Sequence, residues 1–435
     1  MSKPKYSSLK ELYDDIIHQA VEECILCGEC VSNCRMFPLN PMLKDKDPVE
    51  ITEKMIDFLK DGVSSEEVYT MAFGCAGCGY CNDFCPQEID VLRMIEATKI
   101  ELVEQGGKTP EAVNFILPKR RINLYEILAA LQTKPSEQRW LKRIPPQPKK
   151  TENVVFLGCS PPALPHNTFA FLDILEKMGL DFVTVAGGEF CCGTSSCPAS
   201  GMVRESEGNA RELVAALKEA FSPKRLIFEC TGCYRQFGEY FPLFLYEDTE
   251  FELKFYAQFF SENLDKIKFI KPVEKTVTLH DSCVLARRFK DTESPRKVLE
   301  AIPGLKLVEM EHNRGETLCC GGLANLTNPE MGQKLGQTLI EEAEKTGADY
   351  LVDVCPFCQS ALYPHLKGHS FGLRDIATLM NESMGGRKYE NKLEKYWRCE
   401  SVDEIIEKSR ENFEANGYTT DEMRQILPLI FASAA

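Results

Sequence analysis

No stretch of this sequence reaches the roughly 18 consecutive apolar residues that a membrane-crossing helix needs, so no span is expected. Nor does it open like a secretory leader. The start MSKPKYSSLKELYDDIIHQA has no apolar core and no small-residue cleavage site, and its pattern predicts an entry helix over 1–22. No G-x-G-x-x-G follows a predicted strand, which argues against a nicotinamide or flavin site. Positive charge is in deficit: 51 Lys and Arg stand against 66 Asp and Glu, a net charge of −15. A nucleic-acid partner is therefore not expected. These absences together imply a cytoplasmic protein that meets a membrane only through a partner.

What the chain has in excess is cysteine, 20 in 435 residues. In a reducing compartment, clustered cysteines more often bind metal than form disulfides. Ten of them form one pattern twice. Cys159 (FLGC), the pair Cys191-Cys192 (FCCG) and Cys230-x-x-Cys233 (FECTGC) are followed by Cys283 (LHDSC), Cys319-Cys320 (LCCGG) and Cys355-x-x-Cys358 (DVCPFC). The gaps are 31 and 37 residues in the first copy, 35 and 34 in the second. Such self-similarity marks an internal repeat carrying two multi-thiolate sites. Gly193 and Gly321 follow the pairs, where a residue without Cβ lets backbone crowd a bound cluster. Eight further cysteines fall in two early runs: Cys24, Cys27, Cys30 and Cys34, then Cys75, Cys78, Cys81 and Cys85.

The texture of the chain changes along its length. Residues 1–133 read as helical and 134–151, Pro-rich and basic, as a linker. From Lys119 to Lys150, nine Lys or Arg face only Glu126 and Glu137. That stretch is either a solvated linker or a docking stripe for an acidic electron-transfer partner. Beyond it, short β-branched runs alternate with helical segments, which argues for parallel α/β layers. Two such subdomains are expected, 152–272 and 273–385, with each cysteine element at the C-terminal end of a strand, where open α/β sheets place their sites. The aromatic-rich segment 234–260 reads as packing and substrate-cleft wall, and 386–435 as a helical tail that docks onto this or a partner subunit. The fold class expected is α+β overall: a helical two-cluster ferredoxin-like domain followed by two repeated α/β subdomains.

A 4Fe–4S cube needs four converging thiolates, and Cys-x2-Cys-x2-Cys wraps three of its corners. The early runs resemble the two-cluster ferredoxins, in which the fourth cysteine of each run ligates the other cluster. The resemblance implies one cubane cluster on Cys24, Cys27, Cys30 and Cys85, and a second on Cys75, Cys78, Cys81 and Cys34, close enough for a one-electron relay. The first run departs from the pattern in delaying its proline to Pro38. Zinc also takes four cysteines, but this spacing is unusual for it.

The doubled pattern resembles the cysteine-rich CCG domain of heterodisulfide reductases, and 15–375 resembles a fusion of a two-cluster domain with the doubled CCG subunit. The resemblance implies one noncubane 4Fe–4S cluster on Cys159, Cys191, Cys192, Cys230 and Cys233, and another on Cys283, Cys319, Cys320, Cys355 and Cys358. It implies reductive cleavage of a small disulfide between them, the coenzyme M–coenzyme B heterodisulfide or an analogue. Two protons must then reach the leaving thiolates, and His280 and Asp281 beside Cys283 are the candidate donors, with His365, His166 and Lys290 behind them. Arg287 and Arg288 are candidates to hold an anionic substrate group. Cys197 and Cys399 remain as small buried hydrophobes. Electrons would come from a redox partner: a flavoprotein, a cytochrome b, a hydrogenase or ferredoxin. The alternative is a non-catalytic iron–sulfur subunit of a hydroxyacid or glycerol-3-phosphate dehydrogenase complex.

Overall fold

The computed structural model describes residues 5–120, 122–145, 147–245 and 251–431. The second half of the chain folds around two four-stranded parallel sheets. The first contains β1 (Asn153–Gly158), β2 (Val183–Ala186), β3 (Arg225–Phe228) and β4 (Glu252–Phe255); the second contains β5 (Lys275–His280), β6 (Leu305–Leu307), β7 (Tyr350–Asp353) and β8 (Gly372–Arg374). Their strand orders are β2-β1-β3-β4 and β6-β5-β7-β8, one topology used twice. β1 (NVVFLG) is buried at every position, as a strand with helices on both faces must be. In each sheet the order reverses between its two central strands. The crevice beyond their C-terminal ends is the natural ligand site of such a sheet.

The two halves meet through reciprocal helix contacts. The helix Pro165–Lys177, which follows β1, packs on Ile376–Ser383, which follows β8; Glu293–Ala301, after β5, packs on Tyr256–Glu262, after β4. Each contact pairs the helix after a first strand with the helix after the other sheet's last strand, giving a pseudo-two-fold junction. Asn167 and Gln359 hydrogen-bond across it at 2.7 Å. This arrangement turns the C-terminal ends of both sheets toward one space.

The N-terminal part is helical, as its periodicity predicts, with helices Leu9–Glu23, Pro48–Asp61, Glu66–Phe73 and Val91–Glu104. The last is buried on nearly every side, Glu96 and Lys99 included. Glu96 accepts from Tyr13 (3.0 Å) and Tyr240 (2.6 Å) and pairs with Arg235 at 3.2 Å. A buried carboxylate needs such partners, and these tie the helix to the first sheet.

Three expectations are sharpened. The basic stretch around 134–151 is exposed along much of its length but anchored at its centre. Trp140 is buried and stacks on Phe169 at 5.4 Å, while Arg139 and Arg143 pair with Asp173 and Glu176 of the helix beside them. Its charge is thus partly neutralised within the chain; Arg121 and Pro146 lie outside the described residues. The aromatic segment 234–260 packs as expected, through rings such as Phe237, Phe241 and Tyr256, but its rings wall no part of the cysteine cavity described below; residues 246–250 lie outside the described residues. The tail docks onto this chain's own helix Leu124–Gln132. Tyr396 and Asn412 donate to the Leu131 carbonyl, Lys392 to that of Gln132 and Asn416 to that of Thr133. The last carbonyls of a helix lack partners within it, and here the tail supplies them.

Candidate metal centres

The loops bring most of the thiols together in three places, and all twenty are free. Cys24, Cys27, Cys30 and Cys85 line one cavity, with Gly28 and Pro86 in its wall. Gly28 has φ +75°, and a Cβ there would stand 2.9 Å from the Val49 nitrogen; only glycine lets the loop turn this tightly. Cys34 lies with Cys75, Cys78 and Cys81 around a second cavity. The fourth cysteine of each run has thus crossed to the other run's loop.

Burial pushes the Cys30 thiol up to about 11 and Cys34 up to about 12, with the neighbouring sulfurs adding to the rise. Thiols buried beside other sulfurs, as Cys30 and Cys34 are, resist ionising on their own. A cationic iron core removes that resistance, because metal binding and thiol deprotonation are coupled. The donor set fits an iron–sulfur cluster at both places.

The third place gathers all ten cysteines of the repeat around a single cavity of about 140 Å³ between the sheets. In the first copy the sulfurs form a continuous chain of contacts: Cys159 to Cys191, Cys191 to Cys192, Cys192 to Cys233, and Cys233 to Cys230. In the second, Cys319 meets Cys320, which meets Cys358, which meets Cys355. Contacts from Cys159 and Cys192 hold Cys191 well below the usual thiol range, and contacts from Cys319 and Cys358 do the same for Cys320. Cys283 stands apart, facing Cys78 as well as Cys320. Thr231, from the first copy, donates to Cys355 of the second at 3.1 Å, so the two sets share one wall.

The glycines after each pair have a more specific task than crowding a cluster. Gly193 and Gly321 adopt φ +86° and +78°, and their missing Cβ atoms make room for Ser206 and for the backbone of Gly332. They let a helix close over each cysteine pair.

The predicted auxiliary residues fare differently. Neither His280 nor Asp281 lines the cavity, although a His280 ring nitrogen lies within 4.8 Å of the Cys358 sulfur. His280 has both ring nitrogens engaged, Nδ1 with Asp353 and Nε2 with the Leu318 carbonyl at 3.0 Å. Burial opposes its charge, but Asp353 outweighs that and pushes the imidazole up to about 9. Asp281 is clamped by Arg296 at 2.7 and 2.8 Å and by the Arg314 amide. The partners that hold both residues lie far away in sequence.

Arg287 and Arg288 do not line the cavity either, and both are engaged within the chain. Arg287 donates to the carbonyls of Cys78, Gly315 and Thr317, and Arg288 pairs with Asp90 and Glu239. Together they fasten the helical part to the sheets. His166 is buried, and burial pushes its imidazole down to about 3. Lys290 is exposed near Asp83, and His365 lines a different cavity. Cys197 and Cys399 are buried outside all three cysteine groups.

Sequence reasoning missed Lys99, Arg235 and Tyr125, which line the ten-cysteine cavity. Lys99 is 1% exposed, with its ammonium donating to the Pro198 carbonyl at 3.0 Å. A partial signal existed: Glu96 and Lys99 are three residues apart on a helix, hence on one face, within the mainly apolar run 94–100.

Two thiolate cages beside a shared ten-cysteine cavity define an iron–sulfur protein of electron transfer. Residues 20–89 match the model of a 4Fe-4S dicluster domain, and 153–238 and 277–363 each match that of a cysteine-rich domain. The chain is 30% identical, over 84% of its length and 94% of the relative's, to a subunit of the dihydromethanophenazine:CoB–CoM heterodisulfide reductase of Methanosarcina barkeri. It belongs to the family of that heterodisulfide reductase subunit. A fumarate reductase (CoM/CoB) subunit from Methanothermobacter marburgensis is 26% identical over 80% of this chain and 69% of its own. An EtfAB:quinone oxidoreductase from Syntrophomonas wolfei is 23% identical over 84% of this chain and 58% of its own.

Proposed function

We propose that this protein reductively cleaves a small disulfide in the cavity lined by both five-cysteine sets, with two cubane clusters feeding two noncubane ones. The observation that carries this reading is that all ten cysteines of the repeat line one cavity. A non-catalytic wire needs no such confluence. On this reading 1–133 conduct electrons, 134–151 join, 152–272 and 273–385 form the catalytic pair, and 386–435 clamp it.

Cys24, Cys27, Cys30 and Cys85 would hold one cubane cluster, and Cys34, Cys75, Cys78 and Cys81 the other; each five-cysteine set would hold a noncubane one. When bound, such clusters deliver single electrons, so that RSSR with two electrons and two protons yields two RSH. The order of transfer follows the residues. Cys27 is exposed and its neighbour Ile25 is 58% exposed, which makes this end the one a redox partner would approach. The Cys34 set is next, and Cys283 faces Cys78 beyond it. Arg287 donates to the Cys78 carbonyl at 3.0 Å and sits next to the Cys283 loop, which fixes that junction.

Lys99 joins His280, which lies within 4.8 Å of the Cys358 sulfur, as a candidate proton source. It is the lysine in the cavity wall, and its ammonium retains protons beyond the one given to Pro198. A positioned proton donor typically contributes about 10²–10⁴-fold to rate. The test is to mix anaerobic, viologen-reduced protein with a small disulfide. We expect two electrons consumed per disulfide, and Lys99→Met slower by about 10²-fold or more at unchanged iron content. Absence of any disulfide-dependent oxidation would leave an electron wire.

A further inference from the structure

A second cavity of about 520 Å³ lies beside the second cysteine set. Tyr125, Gly322 and Phe357 line both it and the ten-cysteine cavity, so the two lie side by side with only those residues between them. At Gly322 the missing side chain makes room for the Phe357 ring, which a Cβ would meet at 3.0 Å. The wall beyond is mostly apolar, with Phe115, Leu326, Trp397 and Leu429 among its residues. Leu429 is 63% exposed, which puts it at the mouth.

The charge of this wall is as informative as its apolarity. Among the described residues it includes no lysine or arginine, and its titratable side chains besides Tyr125 are Glu111 and His365. Burial lowers the His365 imidazole below its ordinary value, so His365 does not supply a lasting cation at neutral pH. The described wall thus offers no cation to pair with a phosphate, sulfonate or carboxylate, groups that call for arginine or lysine.

Resting on the disulfide-cleavage reading, we propose that this cavity holds one arm of the substrate, and that the arm is an uncharged apolar chain. The substrate class is thus an alkyl-type disulfide whose sulfurs pass Gly322 and Phe357 to reach the cysteines. An arm that fills the cavity gains about fourfold in affinity for each methylene removed from water.

Trp397 reports occupancy without any need for turnover, since the only other tryptophan, Trp140, is buried elsewhere. The cluster-loaded full-length protein would be titrated with dibutyl sulfide, a thioether that cannot be reduced, and with the dianionic 3,3′-dithiodipropionate. We expect a saturable change in Trp397 emission with the thioether, absent in Trp397→Phe, and none with the dianion. Leu326→Trp, which fills the space, and Leu429→Glu, a change at a 63% exposed position with the fold checked by circular dichroism, should each weaken thioether binding tenfold or more. Dibutyl disulfide should be reduced in preference to the dianion. No response to the thioether, or an equal response to the dianion, overturns the inference. Thioether binding at Trp397 with neither disulfide reduced supports the ligand class and overturns the disulfide-cleavage reading instead.

Discussion

Gly321→Ala should damage the second copy far more than Gly193→Ala damages the first. Both glycines follow a cysteine pair in left-handed backbone, so either alanine costs about 1–2 kcal/mol for its conformation alone. The difference lies in what the new methyl group meets. At 193 it lies 2.8 Å from the Ser206 hydroxyl, which can rotate away. At 321 it lies 2.4 Å from the Gly332 carbonyl oxygen and 3.1 Å from its carbon, backbone of the helix Pro329–Lys345.

That helix cannot retreat cheaply, because a Cβ at Gly332 would itself be only 2.3 Å from the Asn325 side chain. Overpacking of this kind adds about 1–3 kcal/mol. The totals are therefore about 1–2 kcal/mol for Gly193→Ala and about 2–5 for Gly321→Ala. Thermal unfolding of the two anaerobically purified variants gives the comparison, with iron content as the second readout. Gly321→Ala should lose the iron bound by Cys283, Cys319, Cys320, Cys355 and Cys358, while Gly193→Ala keeps its own. Adding Ser206→Ala to Gly193→Ala should recover part of its smaller loss. Equal losses in both variants would refute the argument that the helix backbone limits the second site.

Two further outcomes follow from the same structure. Cys34→Ser should remove the cluster shared with Cys75, Cys78 and Cys81, while the one on Cys24, Cys27, Cys30 and Cys85 stays, and paramagnetic resonance of the reduced protein separates the two. His166, with its folded value near 3 against an ordinary 6.5, contributes stability above pH 6.5 that is lost as pH falls from there toward 3. Each unit in that window costs about 1.4 kcal/mol. His166→Phe should flatten the dependence of the urea midpoint between pH 7 and 5, and an unchanged slope would refute it.

What the sequence made legible was whatever depends on local spacing. Cys-x2-Cys-x2-Cys loops, doubled cysteines and strand–helix alternation are short-range signals, and the α+β architecture with its repeat followed from them. The reach of Arg287 to Cys78, or of Arg296 to Asp281, spans distances on which periodicity says nothing. The same limit hid the role of the basic stretch. Arg139 and Arg143 look free in sequence, and only the packed helix Pro165–Lys177 supplies Asp173 and Glu176 to meet them. Lys99 was at most half legible: it shares a helix face with Glu96, but nothing local said that both are buried or that ten sulfurs lay beyond them.

The most direct test of the account is iron-edge anomalous diffraction from crystals grown without oxygen. Iron beside both five-cysteine sets, in addition to the two early cages, is the predicted result, about 16 atoms in all as four clusters of four. Iron confined to the two cages, about 8 atoms, with the ten cysteines of the shared cavity metal-free or joined as disulfides, would contradict it.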